Sequence, residues 1–302
     1  MTKAETGSLC GILLVDKPEG ISSAQVVAVA KRALDRTKVG HLGTLDPFAS
    51  GLLPLCVGEG TKLAPYINQA DKRYGGIIRL GVATDTLDRT GQTVAEAPIP
   101  SFADADLDRV AQGLLGEIEQ IPPIFSAIKK AGVPMYRLAR DGITPELEPR
   151  RVTIHDLRLS RVDGERVAID VHCSKGTYVR ALARDIGNAL GTVGLLESLV
   201  RTEFGGFALE QALALDTVRE QGREALHPPS WVAGADALAH LPSLVADPAA
   251  VRALRAGQQR ILATFQRPAA PGAIARVLDS DRHLVAVLCE KVGIWRIDRV
   301  FT

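Results

Sequence analysis

Aromatic residues are scarce in this chain, at 4% of its 302 positions, and neither sign of charge predominates, with a net of +1 at neutral pH. The chain as a whole therefore does not announce a nucleic-acid partner, and only the distribution of its charges is informative. There are four cysteines, Cys10, Cys56, Cys173 and Cys289, and no two form a Cys-x-x-Cys pair. That argues against a zinc site or a disulfide framework and fits a reducing cytosol. No apolar run reaches the ~18 residues a spanning helix needs, and the N-terminus has no apolar leader. A soluble, cytoplasmic protein without membrane contact is expected. Gly58-Glu-Gly-Thr-Lys62 has P-loop ingredients, but its Lys follows the Thr and the upstream spacing is wrong. Asp85 to Gly91 lacks the ligand spacing and closing Glu of an EF-hand. The histidines are scattered, and no Ser/His/Asp order stands out. Nothing asks for a nucleotide, metal or redox cofactor, so none is expected.

What is present is a 46% hydrophobic chain, enough for one large domain or one large and one small. Leu9 to Val15 reads as a buried strand closed by Pro18-Glu19-Gly20. Ser22 or Ser23 then caps a helix whose apolar face includes Val26, Val27, Ala30 and Leu34. Ile77 to Leu80 reads as strand, Thr84 to Gly91 as a polar loop, and Asp104 to Leu115 as a helix with acids in its first turn. Val152 to Val162 and Val167 to Cys173 flank Asp163-Gly164, a hairpin signal, and Thr177 to Leu190 reads as helix. After a Pro-rich change of composition, a helix from Ala249 to Ala256 precedes strands at Ile274 to Leu278, Leu284 to Leu288 and Ile294 to Val300. This β-rich end carries nine Lys/Arg against four Asp/Glu over residues 251–302. Residues 124–140 hold Lys129, Lys130, Arg137 and Arg140 with no acid. Such clusters suit phosphate or plain solvated surface equally; the β-rich end reads as an RNA-binding appendage or as a mere extension of the main sheet.

The most informative stretch is Gly40-His-Leu-Gly-Thr-Leu-Asp-Pro47, which leads into an apolar run from Leu52 to Val57. It sets a lone carboxylate, Asp46, in a turn-rich loop beside His41. The proline after Asp46 biases the aspartate toward extended backbone. Gly43 and Gly51 let the chain bend close to a bulky partner. Loops held at both ends by rigid elements carry function, so Asp46 reads as a reactive carboxylate.

Lys72-Arg-Tyr74 opens a strand, and Cys173-Ser-Lys-Gly-Thr-Tyr-Val-Arg180 runs from a strand into a helix. Taken singly, each residue has a plain alternative. Tyr74 and Tyr178 suit core rings with hydroxyls at the surface. Arg180 suits an ion pair that only holds the fold, and His41 a cap or core residue. Taken in order they form a pattern. From Gly11 to Phe207 the chain resembles the TruB family of tRNA pseudouridine synthases. The matching segments are Asp16-Lys-Pro-Glu-Gly20, the Gly40 to Pro47 loop, Lys72 to Tyr74 and Leu80-Gly-Val-Ala-Thr-Asp-Thr-Leu-Asp88. They continue with Pro122-Pro-Ile-Phe-Ser-Ala-Ile-Lys129, Gly132 to Gly142, Cys173 to Gly187 and Leu199-Val-Arg-Thr202. Leu42 stands where the family usually has Thr, and Phe125 where it has Tyr. Leu195 and Val200 replace the His and first Arg of the usual Ala-His-Leu-x-x-Leu-Arg-Arg-Thr pattern. The C-terminal end resembles a PUA domain more loosely.

The resemblance implies an α+β fold: a mixed, largely antiparallel sheet in a catalytic domain (1–240), and a small β-rich PUA-like domain (241–302). An RNA-gripping insertion is expected at about 124–151. The implied reaction converts the T-loop uridine of tRNA (position 55) to pseudouridine. It does so by base flipping, cleavage of the N1–C1′ bond with carboxylate assistance, and rejoining through C5. The change is redox-neutral, in keeping with the lack of cofactor motifs. Asp46 is implied as the catalytic carboxylate and Arg180 as its partner. Tyr74 is implied to stack on the uracil and act as base in a later proton transfer, with Tyr178 and Leu199 as pocket walls. His41 fills the space that the flipped base leaves in the RNA, and Lys17 supports the Asp46 loop. The implied partner is tRNA, held by its T arm and acceptor stem, with no obligatory protein partner and a monomeric enzyme. Two other readings stay open: a guide-RNA-dependent relative that works with partner proteins, and an RNA-folding protein that no longer catalyses.

Overall fold

The computed structural model describes residues 9–125 and 148–302, with the backbone of residues 129–130 and 133–134. The segment expected to close over RNA, about 124–151, falls mostly outside them. An eleven-stranded sheet carries the larger part of the chain, and a separate four-stranded sheet carries the C-terminal part. The main strands are β1 (Cys10–Lys17), β2 (Ser50–Gly58), β3 (Lys72–Leu80), β4 (Gly116–Gln120), β5 (Arg150–Arg161), β6 (Arg166–Cys173) and β7 (Gly194–Phe204). They lie in the order β1-β2-β7-β3-β6-β5-β4. Neighbours are antiparallel except β2 and β7, which touch in parallel at Val200 opposite Ser50 and Arg201 opposite Gly51. The fold is α+β, with a mixed and largely antiparallel sheet.

The sequence of β1 explains why this sheet sits between two cores. Leu13 and Val15 point into one, Ile12 and Leu14 into the other, and all four are fully buried. A strand covered on both faces needs an unbroken apolar run instead of alternation. Among the helices that close the first core are α1 (Ser23–Ala33), α2 (Asp104–Gly113) and α3 (Val179–Ala189). They contribute Val26, Ala30, Leu107, Ala111, Leu182 and Ile186 to it. Helix α1 starts as a capping box, Ser22 Oγ accepting from the Gln25 N–H while Gln25 accepts from the Ser22 N–H.

The second core joins the C-terminal sheet to the first. That sheet runs β8 (Ser243–Val245), β9 (Ile274–Leu278), β10 (Leu284–Lys291) and β11 (Ile294–Val300). Leu278, Leu284, Val287 and Phe301 pack with Ile12, Leu14, Leu52 and Phe204. Lys62 donates to the Val300 carbonyl at 2.9 Å, and Tyr66 donates to Asp298. Each apolar side chain buried here contributes about 1.5–3 kcal/mol, so the two sheets are fastened by packing more than by these polar ties. The C-terminal strands form a sheet of their own and do not extend the main one.

Strands β4 and β7 are absent from the expectations above, and β2 was read only as an apolar run. In β7 the register shifts between Leu196 and Ser198 and again between Arg201 and Glu203, so inward and outward positions do not alternate along Gly194 to Phe204. Strand β4, Gly-Glu-Ile-Glu-Gln, has weak strand propensity. It is held at the sheet edge by pairing with β5, where Arg151 lies opposite Glu119 and reaches Glu117 at 3.4 Å.

At Gly51, where the Asp46 loop enters β2, φ is +98°, and a Cβ there would lie 2.4 Å from the Arg201 carbonyl oxygen. Gly51→Ala is expected to lower unfolding stability by about 2 kcal/mol or more. Urea unfolding of the two proteins checks this, and equal midpoints would contradict the close approach.

Candidate active site

The loop bearing Asp46 joins the short strand Val39–His41 to β2 and has no regular structure over residues 42–49. Its backbone is fastened from three directions. Ser23, buried in the first turn of α1, accepts from the Leu45 N–H at 2.9 Å, and its hydroxyl lies 3.0 Å from the Leu45 carbonyl. Lys17, fully buried at the end of β1, donates to the carbonyls of Pro18 and Ile21, each at 2.8 Å, and to that of Pro47 at 3.3 Å. Arg201 of β7 donates through Nε to Leu52 at 2.7 Å and through Nη2 to Gly43 at 3.0 Å. Leu42, Leu45 and Phe48 turn into the cores on either side.

Held this way, Asp46 meets Arg180. The Arg180 Nε lies 2.9 Å from Asp46 Oδ2, with 5% of the arginine side chain and 37% of the aspartate side chain accessible. Arg180 comes from the first turn of α3, just after Tyr178, whose N–H donates to the buried Gln120 side chain at 2.8 Å. The guanidinium is further oriented by the carbonyls of Thr86 at 2.8 Å and Phe125 at 3.0 Å. Its Nη1 stands 3.5 Å from a second carboxylate, Asp88.

Asp88 was not among the expected site residues. It lies in the Thr84 to Gly91 loop, which is latched to β7 by hydrogen bonds between Leu87, Arg89 and Leu196. Its Oδ1 accepts from the hydroxyls of Thr86 at 2.8 Å and Thr90 at 2.6 Å and from the Thr90 N–H at 2.9 Å. The Thr and Gly around it gave a local signal for a tied carboxylate, but Arg180 is too distant in sequence for spacing to reveal the pairing.

Burial pushes the Asp46 carboxyl above its ordinary range. The Arg180 charge opposes that shift, Asp88 adds to it, and Lys17 opposes it more weakly. Tyr74, in β3 and nearly buried, has its phenol pushed up by burial and drawn down by Arg201. Burial, then repulsion from Arg201, lowers the His41 pKa and favours the neutral ring. His41 is half-buried at the end of its strand, and its Nδ1 has no hydrogen-bond partner among the described residues. Lys17 is pushed down to about 8 by desolvation, against the pull of Glu19 and Asp46. Leu199 of β7 packs in the first core with Tyr74. The expected residues Lys17, Asp46, Tyr74 and Arg180 are thus linked to one another through contacts or charge. His41 and Leu199 stand on the adjoining strands, and Tyr178 precedes Arg180 at the mouth of α3. A separate cavity of about 680 Å³, lined by Tyr66, Asp71, His172, Glu203 and Phe207 among others, includes none of these residues.

This arrangement presents one partly accessible, charge-paired carboxylate. The second carboxylate is spent on hydroxyls and backbone and is 4% exposed. A hydrolase of the two-carboxylate kind needs both groups free, one of them to activate water. The site instead suits chemistry in which one carboxylate meets a developing positive charge.

Comparison with known proteins follows the same direction. The sequence profile of the TruB family pseudouridylate synthase (N terminal domain) matches residues 31–179. A tRNA pseudouridine synthase B from Aromatoleum aromaticum is 42% identical over 290 residues, 94% of this chain and 90% of that protein. One from Psychrobacter cryohalolentis is 49% identical over 210 residues, 68% of this chain and 58% of that protein. The fold is similar to a crystal structure of the archaeal box H/ACA sRNP Nop10-Cbf5 complex. The TM-score is 0.72 at 22% identity, covering 100% of this chain and 89% of that one.

The charges around Asp46 set opposite expectations for two substitutions. Arg180→Gln removes the positive charge and should raise the Asp46 midpoint; Asp88→Asn removes the neighbouring negative charge and should lower it. The carboxylate form is lost as pH falls through that midpoint, so its acid limb should move up in the first variant and down in the second. The Asp46 13Cγ shift followed against pH checks this, and shifts of the same sign would contradict the three-way pairing.

Proposed function

The chain belongs to the TruB family of tRNA pseudouridine synthases and isomerises uridine to pseudouridine in tRNA; on that premise, we propose that its target is the T-loop uridine and that Asp46 is the catalytic carboxylate. The observation that carries the assignment of Asp46 is its 2.9 Å pairing with a buried Arg180 that a second, fully committed carboxylate also holds. An opposite charge at this distance favours the ionised form that the reaction needs, even where burial opposes it.

In this reading a uracil stacked within the T loop is out of reach until it flips from the RNA. His41, from the strand leading to the Asp46 loop, occupies the space it leaves. The flipped base lies on Tyr74 between Tyr178 and Leu199. Positive charge builds at C1′ as the N1–C1′ bond breaks, and the Asp46 carboxylate meets it, as carboxylates do in glycoside cleavage. The freed uracil turns and rejoins through C5. Tyr74, as its tyrosinate, then takes the proton from C5, and the C–H bond pair restores the C5–C6 double bond. N1, which kept the pair of the broken glycosidic bond, takes up a proton, so that the net change moves one hydrogen from C5 to N1. Lys17 supports the loop through the Pro47 carbonyl. Residues 241–302 act as the RNA-binding module of an otherwise self-contained, monomeric enzyme working in the cytoplasm. The surplus of Lys and Arg there supports contacts to the phosphates of the acceptor stem.

Treating an unmodified tRNA transcript with the purified protein, followed by site-resolved pseudouridine mapping, tests this reading. One new pseudouridine in the T loop is expected. Asp46→Asn should retain tRNA binding and lose turnover by at least about 10⁴-fold. Product from Asp46→Asn would refute the role of Asp46, and tight binding without product from the parent would favour an RNA-folding protein.

A further inference from the structure

Arg201 heads the largest fully buried side chains among the described residues. An interior guanidinium is costly unless its charge and donors are met, and no carboxylate among the described residues forms an ion pair with it. Two of its three nitrogens are satisfied by the carbonyls of Leu52 and Gly43, the two ends of the Asp46 loop. The third, Nη1, is buried and makes no hydrogen bond to a described residue. The Phe204 ring lies beneath, its centroid 5.3 Å from the guanidinium carbon.

Directly across the sheet stands Tyr74. Strands β3 and β7 place Arg201 opposite Tyr74 in register, and opposed residues in an antiparallel pair hold their Cβ atoms about 4.5–5.5 Å apart on one face. Among the described residues, the groups that act most on the Tyr74 hydroxyl are Arg201 from β7, Cys173 from β6 and Asp46 from the loop. Of these, Arg201 alone favours negative charge on the oxygen. Cys173, its thiol pushed up to about 11 mainly by burial, stays neutral at ordinary pH.

We propose that Arg201 is a positioning residue for Tyr74: its guanidinium stabilises negative charge on the tyrosine oxygen, with Nη1 left free to donate to that oxygen as the charge forms, while its other two nitrogens bind the ends of the Asp46 loop to the same strand. One side chain thereby fixes the base and the carboxylate in a common frame. The planar fork makes this possible, and a lysine, a single charge on a flexible stem, would not reproduce it. The proposal rests on the reading of Tyr74 as the group that takes the C5 proton.

3-Fluorotyrosine placed at position 74 alone reports ionisation through its 19F shift, without RNA and without turnover. In Arg201→Gln the midpoint should rise by at least about one pH unit, a tenfold loss in ionisation constant, with Arg201→Lys in between. An unmoved midpoint in folded Arg201→Gln overturns the proposal. If that variant fails to fold, the parent chain carries the test by 15N labelling of arginine. The Arg201 Nη signals should move at the Tyr74 midpoint and lose that response in Tyr74→Phe; signals indifferent to the midpoint overturn it. With tRNA, Arg201→Lys should lower kcat at least about tenfold with KM changed less than about twofold, and the rising limb of its pH profile should move upward. Parent-like kcat and pH limb would overturn the proposal. Because the resonance measurements need no substrate, a parent that makes no pseudouridine would refute the functional reading, while the coupling of Arg201 to Tyr74 is decided by the midpoints alone.

Discussion

A guanidinium held almost entirely out of water has to be neutralised where it stands, and Arg180 is neutralised by carboxylates from two different loops. Removing one partner of such a buried pairing costs about 3–5 kcal/mol, because the charge left behind stays buried. The rest of the site follows from this requirement. Asp46 must be delivered from the loop before β2 and Asp88 from the loop after β3, and Arg180 must arrive from the first turn of α3. Strand β7 lies between β2 and β3 and touches both loops. It contacts the first through Arg201 and latches the second through Leu196. The sheet order is what allows three distant segments to converge on one charge.

The two carboxylates end in different states because their surroundings differ. Asp88 receives two hydroxyls and an N–H on Oδ1, and its Oδ2 faces Arg180. Asp46 receives the guanidinium on one side and keeps part of its side chain open. Burial and the nearby Asp88 charge both work against its ionised form. The carboxylate is therefore kept in a state that the fold disfavours and that a positive charge brought by a substrate would relieve. That suits a transition state with positive charge at C1′ better than binding of a neutral ground state.

Much of this was legible in the chain, and the limits have physical causes. Asp46 stands out because Pro47, Gly43 and Gly51 mark a constrained loop around a single carboxylate. The strands at Ile274–Leu278 and Ile294–Val300 coincide with the apolar runs that announced them. Strand β7 was missed because its bulges break the alternation by which strands are read, although part of it was quoted within the family pattern. Arg201 gave no sign of burial, since an arginine among Val, Thr and Glu reads as surface. Only the register with Tyr74 and the two loop carbonyls reveal its place. Leu42, standing where the family usually has Thr, is fully buried in the core that includes Phe204, where an apolar side chain packs without needing a hydrogen-bond partner.

The reliance on Lys17 and Arg201 beneath the loop has a common origin. A loop without regular structure leaves its carbonyls unpaired, and unpaired carbonyls inside a protein must find donors. Lysine and arginine supply donors and bring no acceptors that would need partners in turn. Together these two side chains satisfy five carbonyls in or beside the Asp46 loop. Their burial is unfavourable, as the low pKa of Lys17 records, but the alternative is a loop with its backbone unsatisfied. Their charge then acts a second time. Lys17 favours the ionised form of Asp46, and Arg201 favours charge on the Tyr74 oxygen. The groups that close the backbone of the loop are also groups that set the electrostatics around Asp46 and Tyr74, so neither could be exchanged for a neutral donor without altering both.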